Sequence, residues 1–172
     1  RELDDIEIAA INVVCGEIYV NPAAGLTFEE WKFVLAHEYL HAGLQHHARR
    51  NGRDLYLWNI ACDFVINGWL NEMQIGIMPN KGIMFDETLK NQSVEEVYDR
   101  LIYNMRKFSK LSTFRGYNKV DIIDDGWNKA LERGTSIDDF CKSALRSGLE
   151  YHTLNSRGYI PGGLIEEIKA LS

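Results

Sequence analysis

Cysteine is scarce in these 172 residues: Cys15, Cys62 and Cys141 are odd in number and far apart. Such a set builds no disulfide framework and suits a reducing, cytoplasmic compartment. None belongs to a Cys-x-x-Cys pair, which argues against a thiolate zinc cluster. No apolar run is long enough to span a bilayer, and no signal-like leader opens the chain, so a membrane role is not expected. A basic stripe is missing too. Lys and Arg number 19 against 25 Asp and Glu, a net charge of −6, and they gather only at Arg49-Arg50 and over residues 107–119. A nucleic-acid partner is therefore not expected, because little is available to displace phosphate counterions. What is present is ordinary for a globular protein, with 45% hydrophobic and 11% aromatic residues. The length suits one domain over residues 1–172, and no repeat, low-complexity tract or linker divides it.

The most informative stretch is Val34-Leu35-Ala36-His37-Glu38-Tyr39-Leu40-His41-Ala42, which contains His-Glu-x-x-His. On a helix, residues i and i+4 share a face, so His37 and His41 can aim two imidazoles at one metal ion. Glu38 lies beside that face, close enough to act on a metal-activated water. The surroundings read as helical. No Pro or interior Gly interrupts residues 28–42, and Thr27-Phe28-Glu29-Glu30 is a capping box. Phe33, Ala36, Leu40 and Leu44 form an apolar stripe about a quarter turn from the histidines.

Before the motif, residues 6–20 are rich in β-branched side chains and broken at Cys15-Gly16-Glu17, which predicts two short strands around a turn. An exposed edge there could align an extended peptide by backbone pairing, or the hairpin could simply cover the helix. After the motif, the helix is expected to run from Phe28 to Arg50 and stop at Asn51-Gly52. On a continuous helix His46 and His47 point about 140° and 240° away from His41 and miss the ion. With Arg49 and Arg50 they would then form a cationic last turn that complements the helix dipole. A break in the helix would instead let His47 serve as a third ligand at metzincin spacing. Those sites usually have Gly three residues after the second His, where this chain has Leu44.

Asp54 can cap a second helix to about Met73, antiparallel to the first. It is apolar and aromatic except for intrusions such as Asp63 and Asn67, which share a face at i, i+4. A buried carboxylate is costly unless paired or metal-bound. Asp63 is thus read as the third ligand, and Asn67 as the residue that holds a ligand imidazole by its other nitrogen. A buried Asp-Asn pair that only bridges helices is the plainer alternative, and Glu72 is a reserve ligand. Further along, residues 74–92 read as a loop with short strands at Ile75–Met78 and Ile83–Phe85. Ser93-x-x-Glu96 caps a helix to about Phe108, with Val94, Val97, Leu101, Ile102 and Met105 as its core face. Residues 109–126 read as an irregular flap or loop, and Trp127–Arg133 as a short helical piece. Ser136 caps a helix to about Leu154, and Pro161-Gly162 introduces a last one at residues 164–171.

His-Glu-x-x-His followed by a carboxylate on a second helix resembles the gluzincin arrangement of thermolysin-like peptidases, with Asp63 where those enzymes use Glu. More closely, Ala36-His37-Glu38-Tyr39-Leu40-His41-Ala42, His46-His47, Arg49-Arg50 and Trp58-Asn59-Ile60-Ala61-Cys62-Asp63-x-x-Ile66-Asn67 resemble a predicted bacterial zinc metallopeptidase family. Ser93-Val94-Glu95-Glu96-Val97-Tyr98 and Gly158-Tyr159-Ile160-Pro161-Gly162-Gly163-Leu164 extend the likeness, which is dense over residues 34–101 and thin afterwards. Members of that family usually carry a von Willebrand factor A-like domain downstream. The resemblance implies such a partner domain, and a chain that starts at Arg1 is expected to be an N-terminal piece of a longer protein.

The fold expected is mainly α (α+β): a zincin-like domain in which a small N-terminal sheet packs on the motif helix and a second antiparallel helix. The function expected is zinc-dependent hydrolysis of a protein or peptide, with Zn2+ on His37, His41 and Asp63 and Glu38 as general base. Tyr151, His152 and Tyr159 are candidate oxyanion donors, since related peptidases use a Tyr or His from a later segment. Two rival functions are a zinc-binding scaffold without hydrolytic activity and a non-peptidase hydrolase. A purely structural zinc site would have no need of Glu38, which favours an enzyme.

Overall fold

The computed structural model describes residues 6–12, 17–80, 85–104, 112–113, 116–117, 122–123, 137–155 and 158–171. Strands β1 (Ala9–Asn12) and β2 (Glu17–Val20) pair antiparallel, Ala9 opposite Val20 and Asn12 opposite Glu17. Two further pairs of residues, β3 (Ser112–Thr113) and β4 (Gly116–Tyr117), form a separate antiparallel ribbon. β5 (Ile122–Ile123) joins the first sheet parallel to β1, giving the order β2-β1-β5. All four residues of central β1 are buried, whereas the edge strand β2 is at most half-buried.

Helix α1 (Phe28–Gly43) begins at the capping box. The Glu30 N–H donates to Thr27 Oγ1 at 3.3 Å, and the Thr27 N–H donates to Glu30 Oε2 at 2.8 Å. After α1 come a single turn, α2 (His46–Arg49), and the long helix α3 (Leu55–Glu72), whose first turn is capped by Asp54 accepting from the Leu57 N–H at 2.9 Å. Every residue from Trp58 to Asn67 is buried, so α3 is sheathed on all sides rather than along one stripe. α1 packs on one side of it, and α4 (Val94–Tyr103) on another. α5 (Ile137–Asn155) lies against α1, and α6 (Gly162–Ala170) packs on α5. The main core unites Phe33, Val34, Leu40 and Leu44 of the α1 segment with Trp58, Ile60, Ile66 and Leu70 of α3, Val97 and Leu101 of α4, and Leu164 and Ile168 of α6.

The molecule is mainly helical with a small N-terminal sheet, as the sequence indicates. Four local expectations are corrected. The motif helix does not run to Arg50: Leu44 caps it and Gln45 turns left-handed at φ 53° before α2 begins. Ile75–Met78 is not a strand but irregular chain, bent at Gly76 and pinned to the start of α1, with the Ile77 N–H donating to the Glu29 carbonyl. Ile102 is 45% exposed rather than part of the core face of α4. Part of the irregular stretch 109–126 is paired backbone, namely β3, β4 and β5. Met105, Ile83 and Trp127–Arg133 lie outside the described residues. No helix among the described residues is long and apolar enough to cross a membrane.

Candidate metal centre

Two cross-links fix how α1 and α3 meet. His37 pairs with Asn67 and His41 with Asp63, so advancing one turn on α1 means retreating one turn on α3, the antiparallel crossing. His37, Glu38 and His41 are fully buried, and Asp63 and Asn67 are 1% exposed. Burial on this scale follows from the sheathing of α3, since every polar group on its α1-facing side is enclosed by both helices.

Three donor atoms converge. His41 Nε2 lies 2.9 Å from His37 Nε2 and 2.9 Å from Asp63 Oδ1, and His37 Nε2 lies 3.4 Å from Asp63 Oδ1. Those separations suit one ion about 2.0–2.2 Å from each donor. Each of the three side chains also has its remaining polar atom held. Asn67 Oδ1 lies 2.8 Å from His37 Nδ1 and accepts its proton. Asn59 Nδ2 donates to Asp63 Oδ2 at 3.1 Å. His46 Nδ1 lies 3.3 Å from His41 Nδ1. Such partners set ring orientation and basicity at metal sites.

The protonation states fit a cation. Burial pulls His41 down to about 4, outweighing the hydrogen bond to Asp63, so its imidazole is neutral near pH 7 and has a lone pair to offer. Burial pushes the Asp63 carboxyl up, but hydrogen bonds from His37 and His41 carry it below its ordinary value, so it stays ionised. Among the described residues no Lys or Arg forms an ion pair with Asp63. The donor set is thus two imidazoles and one carboxylate, with no Lys or Arg paired to the carboxylate among the described residues, a group that could hold a divalent ion.

Other residues singled out from the sequence lie elsewhere. Tyr151 is 58% and Tyr159 59% exposed, and the Tyr159 hydroxyl donates to Glu72, which raises the phenol pKa. Glu72 is therefore engaged at the surface, away from the convergent donors. His152 is half-buried on α5, and His47 is half-buried and belongs to neither group of clustered metal donors. His46, expected to point away, is fully buried against His41, because the left-handed turn at Gln45 redirects the chain. His46 and Cys62 form a second cluster with His41. Asn59, too, was not singled out from the sequence. Its signal was its spacing, since Asn59, Asp63 and Asn67 repeat every four residues down one face of an apolar helix.

A family described as "Putative metallopeptidase domain" matches residues 1–144. The chain belongs to that family. The match covers the sheet, α1, α2, α3 and α4, so all the convergent donors lie inside this metallopeptidase-type domain, while most of α5 and all of α6 fall partly or wholly beyond it. No curated protein and no solved structure matches the chain.

Proposed function

We propose that the protein is a zinc-dependent metallopeptidase whose metal is held by His37, His41 and Asp63. The observation that carries this reading is the convergence of His37 Nε2, His41 Nε2 and Asp63 Oδ1 in the buried interior between α1 and α3, within a metallopeptidase-type domain. Two histidines and one carboxylate form a donor set that favours zinc and leaves a fourth position for water or substrate. When bound, zinc supplies Lewis acidity that brings the pKa of water toward neutrality and polarises a carbonyl.

The chain's own residues do the rest. Glu38, next to His37 on α1 and fully buried, takes the proton of the attacking water and returns it to the departing amide nitrogen. Asn67 and Asn59 hold His37 and Asp63 in their ligand orientations. Among the described residues β2 lies at the edge of the sheet, the position where an extended chain can add by backbone pairing, which favours a peptide as substrate.

Glu38→Gln tests this directly. Zinc content measured by atomic absorption should stay at the wild-type level, while cleavage of a mixed fluorogenic peptide library should fall by roughly 100-fold or more. Turnover equal to wild type would overturn the role of Glu38. Wild-type protein that binds zinc yet cleaves neither peptides nor a non-peptide ester and amide panel would favour a scaffold.

A further inference from the structure

Two of the three proposed ligands are held by amides on α3, but His41 is held by another histidine. That contact runs Nδ1 to Nδ1 at 3.3 Å. A neutral imidazole carries one N–H, so only one ring can donate across it, and the choice fixes both tautomers. With the His41 proton on Nε2, toward Asp63, His41 Nδ1 accepts from His46 and His46 Nε2 is left as a bare lone pair. With the His41 proton on Nδ1, His41 donates, His46 Nδ1 accepts, and the proton of His46 sits on Nε2. Only the second arrangement frees His41 Nε2 to ligate a metal.

What lies beyond His46 Nε2 selects between them. Glu167 Oε2 is 3.8 Å away, just outside hydrogen-bond reach, and among the described residues His46 Nε2 has no hydrogen-bond partner. Glu167 is a carboxylate, an acceptor only, so it stabilises a proton on His46 Nε2 and repels a lone pair there. The carboxylate is itself fixed by the Arg49 guanidinium, which bonds both of its oxygens and also reaches Glu95 Oε1 at 3.0 Å. The chain of contacts therefore runs from α6 through Glu167 and His46 to His41.

We propose that His46 and Glu167 are positioning residues that hold His41 in its metal-ligating tautomer, so that the last helix tunes the affinity of the metal centre. This rests on the reading of His37, His41 and Asp63 as ligands. It is also preferred to a second ion on His41, His46 and Cys62, which clusters as closely. That alternative needs His41 to ligate one ion through each of its two ring nitrogens, whereas the contact with His46 leaves His41 Nε2 for the ion shared with His37 and Asp63.

The experiment is zinc affinity by chelator competition on the full chain, comparing wild type, Glu167→Leu and Glu95→Leu. Both variants remove one carboxylate from Arg49, but only the first removes the partner of His46. Glu167→Leu should raise the zinc Kd roughly 10- to 100-fold, and Glu95→Leu by less than about 3-fold. Equal losses in the two variants, or no loss in Glu167→Leu, would overturn the proposal. Nitrogen-15 NMR of zinc-loaded wild type gives a second reading that requires no variant to fold. The His46 proton should be found on Nε2, and a proton on Nδ1 would overturn the assignment. Uptake of two zinc ions, the second lost in Cys62→Ala, would make His46 a ligand and overturn it as well. Wild type that takes up no zinc would remove the ligand reading itself, an outcome distinct from all of these.

Discussion

Asp63 places a carboxylate at 1% exposure in the middle of an apolar helix, and hydrogen bonds from His37 and His41 more than offset the desolvation that would otherwise raise its pKa. Two expectations follow at this scale. Asp63→Asn should lower the thermal midpoint of zinc-free protein at pH 7, because the folded state favours the ionised carboxylate through the hydrogen bonds from His37 and His41. The same variant should lack the upward shift in Tm that is expected when zinc is added to wild type, since ligand binding to the native state alone raises stability. Calorimetry with and without zinc checks both. Asn67→Ala strips the acceptor from the buried His37 Nδ1–H, at a cost of about 1–3 kcal/mol in denaturant unfolding. Zinc affinity should fall about 10- to 100-fold in that variant. Asp63 and Asn67 could be singled out from sequence because polar residues stand out against an apolar run. Asn59 was equally visible by spacing, while Glu167 was not, since nothing local marks a carboxylate over a hundred positions away as a neighbour of His46.

Among the elements, the capped helix starts and the ends of α3 and α5 were legible, and the end of α1 was not. Thr27-x-x-Glu30 and Ser93-x-x-Glu96 both form reciprocal caps, and the bonds from Thr27 and Ser93 hold the Glu30 and Glu96 carboxyls below their ordinary values. Thr27→Ala should cost about 1 kcal/mol in chemical denaturation, with zinc stoichiometry unchanged. The end of α1 depends on contacts distant in sequence. A Cβ on Gly43 would come within 2.4 Å of Leu145 Cδ1, so α5 approaches the helix there as closely as glycine permits. Just beyond, the chain turns at Gln45, seats Leu44 in the core and brings His46 onto His41. Gly76 is under a second such constraint. Its φ of +67° is a left-handed conformation, and an added Cβ would lie 2.4 Å from the Glu29 carbonyl oxygen. Gly76→Ala should therefore destabilise by about 2 kcal/mol or more, seen as a lowered Tm, by forcing the loop off the start of α1.

Across the whole molecule, the buried titratable groups act together in one direction. The unfolded chain protonates a histidine near its ordinary value of 6.5, whereas folded His41 resists until about 4. Between those values the unfolded state binds more protons, so stability rises with pH, is fully present above about 6.5 and is lost as pH falls through 4. His46 is lowered chiefly by burial and adds to the same trend. The lowered carboxyls of Asp63 and Glu167 extend it, losing their contribution as pH falls through their own depressed values. For zinc-free protein, His41 alone contributes a loss on the order of 3 kcal/mol between pH 7 and pH 4, readable from urea midpoints across that range. A flat profile would mean that His41 is not enclosed as described.

The sequence by itself determined the helical fold class, the two capped helix starts, the His37–His41 face and the polar face of α3, because each depends on residues no more than four positions apart. Helical periodicity turns that spacing into shared direction without reference to the rest of the chain. Only the tertiary structure decided that α1 stops at Leu44, that His46 turns inward, and that Glu167 and Arg49 stand behind it. Those outcomes depend on which helices pack together and how closely. That is settled by burial over the entire core, and no short window of sequence contains it.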